Sequence, residues 1–184
     1  MQRYSPDKQS GLYFSKSKRE NAGRKKMKDI TVWTTSDENS TTVPTTKRQL
    51  DLGNLLVEEM KEMKLSDVSM DEYGYVYGYL PATEGMEDVT PLGLIAHLDT
   101  APDFNGQNVK PQIIQDYNGE DVVLGTSGRV LAVKDFPRLK GYKGRTLITT
   151  DGTSLLGADD KAGIAEILTA VEDLMREKTP HGKI

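Results

Sequence analysis

A β-branched apolar run, Thr146-Leu147-Ile148-Thr149, leads through Asp151-Gly152 and Leu155-Leu156 to Gly157-Ala158-Asp159-Asp160-Lys161-Ala162-Gly163. After it, Ile164, Ile167, Leu168, Val171, Leu174 and Met175 recur at helical spacing until Thr179-Pro180 stops them. A strand, a tight connection and an amphipathic helix in that order predict an α/β chain. They place Asp159 on a strand-to-helix connection, where open α/β sheets bind ligands.

A second polarity switch points the same way. Pro91-Leu92-Gly93-Leu94-Ile95-Ala96 is a short continuous apolar run, which predicts a strand buried on both faces, and it ends abruptly at His97-Leu98-Asp99-Thr100. Upstream, Leu52, Leu55, Leu56, Met60 and Met63 predict a helix from about Lys47 to Met63, with Thr46 and Gln49 spaced as a capping box. Tyr73, Tyr75, Tyr77 and Tyr79 alternate with Gly74, Val76 and Gly78, a strand pattern in which a half-buried aromatic face is a commoner outcome than a stacking site. Residues 100–145 carry turn signals at Pro102-Asp103, Asn105-Gly106, Asn118-Gly119 and Ser127-Gly128; an excursion this long is usually functional and is expected to wall a pocket beside His97. His181-Gly182-Lys183-Ile184 reads as the lead-in to a further strand. The elements together predict a mixed sheet flanked by helices.

Charge divides the chain in two. Residues 1–31 hold nine Lys/Arg against three Asp/Glu, a local charge of +6, whereas the whole chain carries −4 and residues 32–184 therefore −10. This leader shows no helical or strand period and is predicted to be a disordered basic extension, with binding to nucleic acid the less favoured reading. It has no apolar core of a secretory signal, and no apolar run in the chain approaches the ~20 residues that span a bilayer. A soluble protein is expected. With no cysteine, disulfides, thiolate zinc sites and thiol catalysis are excluded, and only His97 and His181 can supply imidazole.

The chemistry follows from those limits. Neutral imidazole and carboxylate are ordinary zinc ligands, which makes His97 and Asp159 the candidate metal ligands. In an extended His97-Leu98-Asp99 the first and third side chains point the same way, so Asp99 is placed to accept the second ring N–H and fix the tautomer of His97. Asp159 has two roles open: a carboxylate bridging paired metal ions, or a helix N-cap, which is the commoner use of an aspartate there. Gly152 to Gly157 lacks a phosphate-loop pattern, and Ser154 lacks a Gly-x-Ser-x-Gly elbow.

These motifs, with Asn108 to Tyr117 and Thr146 to Glu166, together resemble peptidase T, a family of bacterial cytosolic dizinc aminotripeptidases; the resemblance runs from Thr34 onward over about 150 residues. It implies that residues 32–184 are the amino-terminal half of a zinc-peptidase catalytic domain. It further implies that His97 ligates one zinc, that Asp99 is the catalytic aspartate of the His-x-Asp motif, and that Asp159 bridges both ions, with a cis bond between Asp159 and Asp160. The implied substrates are tripeptides and the implied location is cytoplasmic. Related dizinc amidases or dipeptidases, and a non-catalytic module binding through its basic tail, are the alternatives. The family's Glu-Glu pair and its remaining ligands match no part of this sequence. The isolated chain is therefore expected to bind zinc weakly, to hydrolyse little, and to self-associate or pair with a complementing carboxy-terminal half.

Overall fold

The computed structural model describes residues 13–15 and 30–184. The elements are β1 (Tyr13–Ser15), α1 (Gln49–Glu62), β2 (Ser66–Met70), β3 (Val76–Tyr79), β4 (Pro111–Ile114), β5 (Val122–Leu124), β6 (Arg129–Leu131), a 3-10 helix (Pro137–Tyr142), β7 (Thr146–Thr150) and α2 (Ala158–Glu177). They form two compact units, one of residues 13–15 and 30–31 with 101–159, the other of residues 32–100 with 160–184. The α/β class stands, but the strands form small antiparallel sheets, and the parallel pairing is an isolated bridge between Thr35 and Thr100.

The first unit is the long excursion, and it has a core of its own. β7 is the middle strand of the order β1-β7-β4, and its residues Leu147 to Thr150 are all buried. Tyr117, Val122, Leu124, Leu139 and Leu147 pack together there. The β5–β6 hairpin turns at Gly125 and Gly128, both with positive φ. The predicted disordered leader lies outside the described residues except at Tyr13–Ser15, which pair with Thr146–Ile148 of β7, and at Ile30 and Thr31, the first of which is buried.

The second unit is built on α1 and α2. Leu52 and Leu56 meet Ile164 and Leu168, with Val76, Ala96 and Leu98 against them. The predicted capping box is not made: Thr46 Oγ1 donates to the Thr35 carbonyl at 2.9 Å, and the Gln49 side chain reaches the Thr45 and Thr46 hydroxyls. A turn from Thr46 to Gln49 precedes the helix, so Thr46 lies too early to cap it. α1 ends on Lys64 at φ +63, with Lys64 N–H on Lys61 O and Leu65 N–H on Met60 O, the paired closing bonds of a Schellman turn.

Pro91–Ala96 is the main departure. The run is extended but belongs to no strand, and Ile95 is 94% exposed, with Leu92 and Leu94 exposed as well. Its composition suits a central strand; among the described residues no strand lies on either side of it to cover it. The tyrosine face is also more open than predicted, since Tyr73, Tyr75 and Tyr77 are exposed and only Val76–Tyr79 pair as a strand.

Candidate metal and catalytic residues

The parallel bridge places the end of the apolar run. Thr100 N–H donates to Thr34 O and Ser36 N–H donates to Thr100 O, which pins the chain just past Asp99. Upstream of the bridge, the buried Lys161 ammonium, from the first turn of α2, bonds the Val32 carbonyl at 2.5 Å. A cation that is 3% exposed is costly unless held, so the bond fixes the segment around Val32 to the helix.

Against that support the His97 ring turns back on its own backbone. Its Nδ1 lies 3.2 Å from Asp99 Oδ1 and 2.9 Å from the Asp99 carbonyl. The predicted pairing of His97 with Asp99 is therefore formed. With Nδ1 engaged, Nε2 is the ring nitrogen suited to a metal, the arrangement usual for ligating histidines. His97 and Asp99 sit at one end of a cleft of about 710 Å³ lined by Tyr73, Tyr75, Leu94, Ile95, Ile164 and Leu168, among others.

Asp159 is exposed and falls in the first unit, one residue inside α2 rather than before it. A carboxylate there complements the positive end of the helix. Its neighbour Asp160, also inside the helix, accepts from Gly163 N–H at 3.0 Å through Oδ1, so neither aspartate is the N-cap residue. The Asp159–Asp160 bond is trans, contrary to the cis bond the resemblance implies, because both residues already lie in the helical first turn. Val43–Pro44 is the cis peptide among the described residues.

A catalytic zinc takes three protein ligands and leaves a position open. Among the described residues no group of three or more His, Asp or Glu suited to a metal ion occurs. His97 with Asp99 fits an imidazole ligand and its orienting carboxylate, part of a zinc site and not a complete one.

One polar cluster was not singled out from sequence. The Asp151 carboxylate accepts from Thr153 Oγ1 at 2.6 Å and Thr153 N–H at 2.9 Å, with Lys110 Nζ at 3.3 Å. The Thr153 hydroxyl first, then its N–H, with help from Lys110, hold this carboxyl below the usual range. The signal was the Asp-x-Thr spacing, which favours an Asx-type turn. Ser154 Oγ beside it is buried without a hydrogen-bond partner, which agrees with its rejection as a nucleophile.

No family model matches the chain. By sequence it is 56% identical over 153 residues to a peptidase T of Halothermothrix orenii and equally to one of Clostridium acetobutylicum, covering 82% of this chain and 37% of each relative. A peptidase T of Aliivibrio salmonicida is 54% identical over 156 residues, covering 84% of this chain and 38% of that protein. Among solved structures, aminopeptidase PepT of Bacillus cereus superposes with a TM-score of 0.57 at 22% identity, covering 90% of this chain and 34% of the other. A tripeptidase of Staphylococcus aureus gives 0.54 at 22% identity, covering 89% and 34%. The structural likeness establishes the fold. Over those 153 residues the chain is similar to the peptidase T sequences, of whose length it spans 37%.

Proposed function

We propose that this chain carries part of the catalytic apparatus of a zinc-dependent aminotripeptidase, which releases the first residue of a tripeptide by means of a water activated between two zinc ions. His97 is the imidazole ligand, Asp99 orients it, and Asp159 is the carboxylate shared by the ions. The observation that carries the reading is the His97 Nδ1 to Asp99 contact of 3.2 Å, within sequence 56% identical to relatives named peptidase T. A carboxylate on the far nitrogen fixes the tautomer and raises the basicity of the ligating one. The remaining donors and the general base of such a site are not among the described residues.

The test is a chimera in which the matched residues of this chain replace those of the Halothermothrix orenii protein. It is expected to cleave tripeptides from the amino end, to lose that activity with His97→Ala, and to bind zinc roughly 10- to 100-fold more weakly with Asp99→Ala. A folded chimera that prefers N-acylated amino acids, or that is inert while the unaltered relative is active, overturns the reading.

A further inference from the structure

Three dipeptides in the first unit, Asn105-Gly106, Asn118-Gly119 and Asp151-Gly152, set a side-chain carbonyl within ring-closing reach of a glycine nitrogen that no Cβ hinders. Such a pair closes into a succinimide wherever the fold leaves both partners free to meet. At Asp151 the route is shut: Gly152 N–H donates to Thr150 Oγ1 at 3.1 Å in a buried turn, and Thr153 holds the carboxylate. The two asparagines start alike. Both are exposed, both Oδ1 atoms accept the N–H two residues on, from Gln107 and Glu120 at 3.0 Å, and neither Gly106 nor Gly119 N–H donates to an acceptor among the described residues. They differ in what else holds them. Asn105 Nδ2 donates to Gln107 O at 3.2 Å and to Thr153 O at 3.3 Å, and the Asn105 carbonyl accepts from Leu155 N–H at 2.7 Å. Its side chain and its backbone are thus both tied to residues 153–155. Asn118 Nδ2 donates to Glu120 Oε2 at 3.1 Å, an exposed carboxylate of the same turn, so among the described residues its side chain is bonded to nothing farther away.

We propose that Asn118 is a site of spontaneous modification: in the folded chain it passes through a succinimide to isoaspartate and aspartate, while Asn105 is preserved by its ties to residues 153–155. The Gly119 nitrogen gives up its proton to solvent and attacks Asn118 Cγ. The Cγ–Nδ2 bond breaks, and Nδ2 takes a proton back from water and leaves as ammonia. Negative charge gathers meanwhile on Oδ1, where the Glu120 N–H already donates. Water then opens the ring, at Cγ to give aspartate or at the main-chain carbonyl carbon of Asn118 to give isoaspartate. The second product routes the main chain through Cβ and lengthens it by one carbon ahead of Glu120. That turn lies beside anchored chain: Tyr117 N–H donates to Arg145 O, Gly144 N–H donates to Tyr117 O, and the Tyr117 hydroxyl donates to Glu120 O. Tyr117 belongs to the core of the unit, so the longer turn slackens a contact by which that core is closed. The inference is independent of the proposed activity.

The test is to hold the full chain at mildly alkaline pH, folded and separately unfolded in urea, and to follow both asparagines by mass spectrometry with fragmentation that separates isoaspartate from aspartate. In the folded chain Asn118 is expected to convert about tenfold faster than Asn105, which reacts only in locally opened molecules. In urea, where each is an Asn-Gly pair in a loose chain, the two rates are expected to converge. Asn105 converting as fast as Asn118 in the folded chain overturns the proposal. So does a folded chain in which neither converts while the unfolded one reacts, because the turn at Asn118 is then as closed as the other. An advantage of Asn118 that persists unchanged in urea also overturns it, since flanking sequence and not the fold then selects the site. The aged chain should further show faster amide exchange at Tyr117 and Gly144. Freshly prepared Asn118→Asp carries the charge without the extra carbon and should leave those two amides near their original rates; equal acceleration in both assigns the effect to charge and overturns the slackened turn.

Discussion

At single residues the structure stores its clearest liabilities in unit-internal turns. Gly152 sits at φ +84, and a Cβ there would lie 2.2 Å from Ser127 Oγ. Ser127 cannot easily yield, because that hydroxyl donates to Leu124 O at 2.7 Å. Gly152→Ala is expected to cost about 1–2 kcal/mol from the left-handed backbone alone, plus the clash. In a urea titration, adding Ser127→Gly should recover the second part and leave the first. Asp151 gives a pH signature at the same turn. Its depressed carboxyl contributes stability that is present above the unfolded value near ~3.9 and lost as the pH falls through the lower folded value. The urea midpoint should therefore fall on acidification below about pH 4, and fall less steeply in Asp151→Asn. A midpoint insensitive to pH in the native chain would remove the cluster from the stability account. The His97 and Asp99 pairing was legible from spacing alone, since two residues of extended chain suffice to bring the side chains together. The Lys161 bond to Val32 was not, because its partners are 129 residues apart and nothing local announces a buried cation.

At the scale of elements, both long helices stop on a lysine in the left-handed region, Lys64 at φ +63 and Lys178 at φ +51. Glycine takes that conformation without the Cβ penalty, so Lys64→Gly and Lys178→Gly should each stabilise the chain by about 0.5–1 kcal/mol, read as a rise in thermal midpoint. A fall would mean that the lysine side chains contribute more than their backbone strain costs. Helical spacing located both helices to within a few residues, because an apolar stripe is a local signal. β7 was equally plain. The apolar run at Pro91–Ala96 shows the opposite case: composition describes the surroundings a strand is suited to, and pairing depends on neighbours that sequence pattern does not count. β2 went unforeseen for a related reason, as Asp67 at φ +51 and a register shift between Ser66 and Ser69 break its alternation.

At the scale of the molecule, two cores predict two patterns of damage. Leu52 and Leu147 are both fully buried, one in each unit. Replacing either by alanine should cost about 2–5 kcal/mol. Leu52→Ala is expected to speed amide exchange first in α1 and β3, and Leu147→Ala first in β4 and β5. Uniform acceleration from either substitution would show a single cooperative unit instead. The sequence called for one domain with a long insertion; that the insertion closes on its own core depends on residues such as Tyr117 and Leu139, whose burial no short motif reports. The unit holding His97 is also split along the chain, residues 32–100 being completed only by residues 160–184. A ribosome adding 5–20 residues per second takes on the order of 3–14 s to pass from residue 100 to Leu168. Through that interval the apolar side of α1 waits for α2, while the intervening segment is already free to fold. Nascent chains of this protein therefore have a timed window of exposure, and its length is set by the insertion rather than by either core.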